Sequence, residues 1–235
     1  IAELLISKGH TVIGTGRRQE KLDELQTQLG DNFIPLNFDV SDLPATKTAL
    51  QTLPSHVLNN LDVLVNNAGL ALGLEPADKT DFADWQQMVN TNILGLIHLT
   101  HEILPLMVAN NDGYIINLSS TAGNYPYFGG NVYGATKAFV TQFSLNLRAD
   151  LVGKNIRVSN IEPGLCGGTE FSNIRFHGDD AKAAQVYDSV QYVTPQDIAN
   201  MVAWLIEQPK HVNINRIEVM PTAQTFAGLK VVKDL

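Results

Sequence analysis

Short apolar runs alternate with longer amphipathic runs along this chain, and this alternation restricts the fold more than any other feature. Each apolar run is bounded by glycine, proline or polar residues, as β-strands are. We predict strands at residues 11–16, 33–38, 62–65, 114–118, 156–161 and 216–220, and helices at 19–29, 46–53, 82–108, 132–151 and 195–207. Such alternation is typical of a parallel sheet covered by helices on both faces. The sequence therefore predicts an α/β protein with a doubly wound parallel sheet in a single domain, residues 1–235.

The acidity of the chain limits its partners. Its formal net charge of −8 does not favour nucleic acid or another polyanion. The single cysteine, Cys166, excludes an internal disulfide and fits a reducing compartment. No apolar run approaches the roughly 20 residues of a membrane span, and no signal peptide is visible. We expect a cytoplasmic protein that acts on a small molecule and binds neither nucleic acid nor a membrane.

Polar and glycine-rich segments follow five consecutive predicted strands. These segments are Thr15-Gly16-Arg17-Arg18, Asp39-Val40, Asn66 to Gly69, Ser119-Ser120 and Pro163-Gly164. Ligands of open parallel sheets bind outside the carboxyl ends of the strands, so we expect the functional site where these segments meet. His98 and His101 share a helix face but lack a third ligand, so we expect no metal site.

Tyr133 and Lys137 lie four residues apart on a predicted helix, so their side chains share one face. A tyrosine pKa of about 10 is too high for proton transfer at neutral pH. An ammonium at about 4 Å favours the phenolate by about 4 kcal/mol at an effective dielectric of about 20. We therefore predict that Lys137 lowers the pKa of Tyr133 and makes it a general acid or base. Taken alone, such a pair is more often ordinary helix surface.

Ser120, at the end of the preceding predicted strand, can donate a hydrogen bond to a substrate oxygen that becomes negative during a reaction. The alternative is a turn or helix cap, a common role for serine.

Several segments together resemble the short-chain dehydrogenase/reductase family, and the resemblance extends over essentially the whole chain. They are Asn66-Asn67-Ala68-Gly69, Asn92-Ile93-Leu94-Gly95, Asn117-Leu118-Ser119-Ser120-Thr121-Ala122-Gly123, Tyr133-Gly134-Ala135-Thr136-Lys137 and Pro163-Gly164. The resemblance implies a Rossmann-type fold and an oxidoreductase that interconverts an alcohol and a carbonyl compound.

The resemblance also implies catalytic roles. Ser120 would orient and polarise the substrate oxygen, and Tyr133 would give or take its proton. Lys137 would lower the pKa of Tyr133 and bind the nicotinamide ribose. Asn92 would mark a helix irregularity that holds a water molecule of the proton relay; without the resemblance, a solvated helix asparagine is the better interpretation.

Three residues after the third predicted strand, Asn66, Ala68 and Gly69, are implied to form part of the cofactor wall. The asparagine amide would brace adjacent strands and the glycine would allow close approach. The alternative is an ordinary turn at a strand end.

The basic pair Arg17-Arg18 follows the strand that meets the adenosine ribose in this fold. Members of the family that prefer NAD usually have an acid there, whereas arginine matches a phosphate bidentately. We therefore predict NADP(H) as the cofactor, with Arg17 and Arg18 on its 2′-phosphate. Asp39 is expected near the adenine, with Val40 as a further contact. The alternative is a solvated basic pair.

Pro163, Gly164 and Thr169 are also implied to contact the cofactor. Four residues separate Pro163-Gly164 from Thr169, where the family usually has three, so the role of Thr169 stays open.

The family's first strand and glycine-rich turn have no counterpart in this sequence, and residues 1–6 already have a helical pattern. We expect an intact protein to carry that strand and turn ahead of residue 1. We expect the bare 235-residue chain to be unstable and inactive.

Within the family, residues 131–140 and 162–172 are similar to bacterial NADP-dependent 3-hydroxy acid dehydrogenases. This similarity implies small substrates such as L-serine, L-allo-threonine and 3-hydroxypropionate, the last being the product of malonic semialdehyde reduction. Residues 166–191 are polar and without a clear period, and we interpret them as an insertion over the substrate site. A carboxylate substrate needs a cation, and Arg175 in this insertion is our candidate; a solvated loop arginine is the alternative.

Two other functions stay open. A reductase of neutral ketones, sugars or acyl-carrier substrates would share the catalytic residues. A dinucleotide-sensing regulator would keep the fold but predicts damage to Ser120, Tyr133 or Lys137, and all three are present. Family members usually pair the two long helices, here around Asn92 and Tyr133, so we expect a homotetramer.

Overall fold

The computed structural model describes residues 1–226, which form six strands and ten α-helices. The strands are β1 (Val12–Gly16), β2 (Phe33–Asn37), β3 (Val63–Asn66), β4 (Gly113–Leu118), β5 (Ile156–Pro163) and β6 (Arg216–Val219). The helices are α1 (Ala2–Ser7), α2 (Gln19–Leu29), α3 (Leu43–Thr52), α4 (Ser55–Leu58), α5 (Phe82–Val89), α6 (Leu96–Asn110), α7 (Asn131–Asp150), α8 (Phe171–Arg175), α9 (Asp180–Gln185) and α10 (Pro195–Glu207). The end of the predicted domain, residues 227–235, lies outside the described residues.

All described strand pairs are parallel, as predicted, but they form two ladders. One ladder pairs β1 with β2, and the other has the order β3-β4-β5-β6. This division agrees with the predicted α/β parallel architecture, and among the described residues no backbone pairing joins β1 to β3.

Hydrophobic side chains cover both faces of the larger ladder. Along β4, Ile115 packs with Met107 and Val158 in one cluster. Its neighbour Ile116 points the other way and packs with Val202 in a second cluster. Successive side chains of a strand point to opposite faces, so the two clusters are the two helix–sheet interfaces of a doubly wound fold.

Three buried asparagines form a row across the larger ladder. Asn66 of β3 is paired in register with Asn117 of β4, which is paired with Asn160 of β5. The Asn66 amide donates to Asn117 Oδ1 at 2.8 Å and to Thr100 on α6 at 3.0 Å. The Asn117 amide donates to Ser144 on α7 at 2.8 Å. The row thus ties the sheet to both long helices.

The predicted long helix is present and continues from Phe82 to Asn110. Its middle, Asn90–Gly95, is π-helical and joins α5 to α6. By length and composition this helix could cross a membrane. Its buried residues Thr100 and Ile103 face the sheet and the core, so it is part of the folded domain.

Two predicted segments differ from the structure. α3 begins before the predicted residue 46, because Asp42 caps it by accepting from Ala45 N at 3.0 Å. The segment interpreted as an irregular insertion contains the short helices α8 and α9. Short helices leave little periodicity for sequence analysis to detect.

Candidate active site

A cavity of about 400 Å³ opens at the carboxyl ends of β4 and β5. It brings together eight of the predicted site residues: Gly69, Ser120, Tyr133, Lys137, Pro163, Gly164, Thr169 and Arg175. Strand ends separated by long helices therefore do converge at one edge of the sheet, as the alternating pattern indicated.

Ser120 is fixed by the turn that follows β4. Its Oγ accepts from Ala122 N at 3.1 Å and donates to the Pro163 carbonyl at 3.1 Å. Both the cap role and the catalytic role weighed for this serine fit the geometry, because the same hydroxyl caps the turn and lines the cavity. A substrate oxygen could take over the donor that now contacts Pro163.

The turn after Ser120 is packed directly on the helix that carries Tyr133 and Lys137. A Cβ at Gly123 would lie 2.7 Å from backbone atoms of Lys137 and Ala138. Only glycine permits this approach, which keeps the serine beside the helix. Gly123 is therefore part of the site's scaffold, although sequence analysis included it only as part of a motif.

The expected lowering of the Tyr133 pKa is not found. Burial raises the pKa of Tyr133 to about 12, opposed by the Ser120 hydroxyl and by the Arg175 charge. Lys137 does not reverse this rise, because its Nζ lies 5.8 Å from the centre of the phenol ring and donates to the Leu118 carbonyl at 3.0 Å. The shared helix of Tyr133 and Lys137 was predicted correctly. Their spacing in the sequence does not indicate how strongly burial desolvates the phenol and the amine.

Lys137 is itself buried, with 6% of its surface exposed. Burial lowers the pKa of Lys137 to about 8, which still leaves most of the ammonium protonated at neutral pH. A Cβ at Gly69 would lie 3.1 Å from its Nζ, so Gly69 gives this ammonium its place beside the strand end. The close approach that Gly69 is expected to allow to the cofactor stays a prediction.

Asn92 lies in the π-helical segment, so the predicted helix irregularity is found where the motif placed it. The side chain is buried, and the solvated alternative is wrong. Its Oδ1 accepts from Leu70 N at 2.9 Å, and its Nδ2 donates to the Leu70 carbonyl at 2.8 Å and to Thr136 at 3.0 Å. These contacts lock the irregular helix to the segment after β3 and to α7. The water-holding role stays a prediction.

Asn66 and Ala68 lie outside the residues that line the cavity. Asn66 is buried behind it and braces β3 against β4, as predicted. Ala68 is exposed beside the cavity-lining residues Asn67 and Gly69.

The four residues predicted at the adenosine end lie after β1 and β2 and are not among the residues that line the cavity. Arg17 Nη1 is 3.4 Å from Asp39. Burial alone would raise the pKa of Asp39, but hydrogen bonds from Ser41 and the Arg17 guanidinium outweigh it and hold that pKa below its usual value. Val40 contacts the long helix, because its carbonyl lies 2.8 Å from where a Cβ of Gly95 would be.

Arg18 reaches across to the segment that follows β5. Its Nη1 and Nη2 donate to the Glu170 carboxylate at 3.0 and 2.6 Å, between side chains that are both exposed. Each arginine of the basic pair has a carboxylate partner, and both side chains are more than half exposed. Their contact with a cofactor phosphate stays a prediction. Thr169, next to Glu170, is exposed and accepts from Phe171 N at 3.2 Å.

Arg175 lies at the end of α8, half-buried in the wall of the cavity. Its guanidinium carbon is 5.5 Å from the centre of the Tyr133 ring. The solvated-loop alternative for this arginine is wrong.

Several cavity residues were missed by sequence analysis. Phe171 packs edge-on against Tyr133 with ring centres 6.0 Å apart. Tyr127 and Tyr187 also line the wall. These aromatic residues lie in short, irregular segments, where no periodicity marks a buried position. Among residues 1–226, no group of three or more histidines, cysteines or carboxylates is placed to hold a metal ion.

The fold and this site define a dehydrogenase of the short-chain type. The family model described as short chain dehydrogenase matches residues 1–179, and the chain belongs to this family. The predicted family and oxidoreductase class are confirmed.

Two relatives and one solved structure are similar to this chain over nearly its whole length. The chain is 67% identical over 234 residues to a probable NADP-dependent dehydrogenase of Haemophilus influenzae, covering 100% of this chain and 92% of the relative. It is 55% identical over 231 residues to the NADP-dependent 3-hydroxy acid dehydrogenase YdfG of Escherichia coli K12, covering 98% and 93%. The structure matches the closed form of serine dehydrogenase complexed with NADP+ with a TM-score of 0.97, at 54% identity, covering 99% of this chain and 94% of that one.

Burial keeps Tyr133 protonated at neutral pH, and below its pKa the phenolate fraction grows about tenfold per pH unit. If Tyr133 is the predicted general base, alcohol oxidation needs this phenolate. We expect kcat/KM for oxidation to keep rising between about pH 7 and about pH 10 in initial-rate measurements. Tyr133→Phe should lower kcat by about 10²-fold or more and abolish this pH dependence, with an unchanged melting temperature. An early plateau, or full turnover by the phenylalanine variant, would contradict the assignment.

Proposed function

We propose that this protein is an NADP(H)-dependent oxidoreductase that interconverts small 3-hydroxy acids and the corresponding 3-oxo acids. Candidate substrates are L-serine, L-allo-threonine and 3-hydroxypropionate, with malonic semialdehyde as the carbonyl partner of the last. The observation that carries the proposal is the presence of Ser120, Tyr133 and Arg175 in the wall of one cavity. The names of the similar proteins support the same class of reaction.

The residues present fit a phosphorylated dinucleotide. Arg17 and Arg18 supply cations at the carboxyl end of β1, and Gly69 and Lys137 line the cavity at the carboxyl ends of β4 and β5. In the proposed complex, the arginines hold the 2′-phosphate and Lys137 holds the nicotinamide ribose. Asp39, Val40, Pro163, Gly164 and Thr169 complete the binding surface. When bound, NADP(H) supplies or accepts the hydride.

Tyr133 provides the proton step. At neutral pH its phenol is protonated, because burial raises its pKa, so it is ready to donate a proton to a carbonyl oxygen. Ser120 donates a hydrogen bond to the same oxygen and stabilises the charge that develops there. In the reverse direction the phenolate accepts the proton of the alcohol.

Arg175 supplies the group that selects an acid. Lys137 and Arg175 are the cations among the described residues that line the cavity, and no carboxylate lines it there. Because Lys137 is held by the Leu118 carbonyl, Arg175 is the cation available to a substrate carboxylate. Guanidinium binds carboxylate in a bidentate geometry.

A homotetramer formed through the two long helices is also proposed, in the cytoplasm. Leu94 and Phe139, from the π-helical segment and α7, are 40% and 37% exposed. Phe139 stacks on Phe143 with ring centres 5.8 Å apart, so an apolar surface is already organised. Light scattering of the full-length protein should give about four times the monomer mass, and a monomer in solution would contradict the proposal.

Arg18→Ser should raise KM for NADPH by about tenfold or more and leave KM for NADH nearly unchanged, because a lost charge-assisted hydrogen bond is worth about 1.5–3 kcal/mol. Lys21→Ser is the matched control, since Lys21 is an exposed cation one turn away that pairs with Glu24. Equal effects of the two substitutions would remove Arg18 from the phosphate site.

Arg175→Met should raise KM for 3-hydroxypropionate by about tenfold or more, with a much smaller effect on a neutral alcohol such as 1-propanol, because only the acid loses a charged partner. Steady-state kinetics with both substrates measure the difference. An equal effect on both would favour the alternative reductase of neutral carbonyl compounds.

A further inference from the structure

Arg175 is held in the cavity wall by groups outside the family motifs. Its Nη2 donates to the Tyr127 hydroxyl at 2.7 Å, and its Nε donates to the Gly73 carbonyl at 3.2 Å. Its own backbone carbonyl accepts from Gly73 N at 2.9 Å. The arginine is therefore fixed at three points, by a segment after β3 and a segment after β4.

These contacts decide where the guanidinium points. A free arginine side chain has many rotamers, and ordering it costs conformational entropy. Tyr127 and Gly73 meet that cost before a ligand binds. Nη1 makes no hydrogen bond among residues 1–226, so this end of the fork remains for a ligand while the guanidinium stays 5.5 Å from the centre of the Tyr133 ring.

Tyr127 lines the cavity and packs against the cluster that contains Tyr133. Its hydroxyl contacts Arg175 rather than the Ser120 or Lys137 groups, and its ring centre lies 5.6 Å from the Arg175 guanidinium. The neighbouring Tyr125 also lines the cavity, but its hydroxyl donates to Glu218 at 3.1 Å. Two tyrosines of the same segment thus differ in whether they reach the arginine.

We infer that Tyr127 is a positioning residue that sets specificity for acids, because its hydroxyl holds the Arg175 guanidinium where a substrate carboxylate meets it. The inference rests on the proposed role of Arg175. According to this inference, Tyr127 affects the binding of acids and does not affect the binding of neutral alcohols. Tyr127 itself does not contact the reacting atoms.

The test compares kinetics on 3-hydroxypropionate and 1-propanol for the full-length protein and its variants. Tyr127→Phe removes only the hydroxyl. It should raise the ratio of the KM for 3-hydroxypropionate to the KM for 1-propanol by about fivefold, without a comparable fall in kcat for the acid. Tyr125→Phe is the matched control and should shift both KM values together. In an Arg175→Met background, Tyr127→Phe should add no further change to the ratio.

Each outcome has one meaning. If Arg175→Met changes the ratio and Tyr127→Phe does not, the inference about Tyr127 is overturned while the carboxylate role of Arg175 stands. If neither changes the ratio although both substrates are turned over, the carboxylate role fails as well. If the two effects simply add, Tyr127 acts independently of Arg175 and the positioning role is refuted. A fall in melting temperature with no change in ratio marks a purely structural tyrosine.

Discussion

Amide side chains buried at one level of the sheet are the constraint on which the rest of this structure depends. Asn66, Asn117 and Asn160 occupy paired positions on three neighbouring strands, and a buried polar group without a partner costs about 1–3 kcal/mol. A slip of one residue would turn an asparagine to the opposite face of the sheet. The row therefore fixes the strand register, and through Thr100 and Ser144 it fixes both long helices on the sheet.

This fixed frame also explains the protonation of the site. α7 is held to the sheet by Ser144, and Thr141 on the same helix donates to Ser119 at 3.1 Å. Tyr133 and Lys137 therefore stay buried, and burial drives each toward its neutral form. The opposed shifts, to about 12 for the phenol and about 8 for the amine, come mainly from desolvation. At neutral pH the protein thus keeps a protonated phenol in the wall of the cavity.

Much of this arrangement could be predicted from the sequence, and what was missed has a physical cause. The alternating apolar runs predicted the strands, and the motif around Asn92 predicted the helix irregularity. Both predictions were possible because each pattern lies within a short stretch of sequence. The direction of the Tyr133 pKa shift was wrong, since helical spacing reports proximity and not burial. Arg175 donates hydrogen bonds to Gly73, which lies 102 positions before it in the sequence, and to Tyr127. No local sequence pattern indicates contacts between residues so far apart.

The π-helical segment has a consequence for the geometry of the long helix. Met88, Asn92, Leu96 and Thr100 are all buried, and each is four residues from the next. In an α-helix four residues overshoot a full turn by about 40°, so three such steps would drift by about 120° around the axis. The wider turn at Asn90–Gly95 absorbs this drift and keeps Asn92 and Thr100 on one side. Deleting one residue there would rotate the following helix by about 100° and carry the Thr100 hydroxyl away from Asn66.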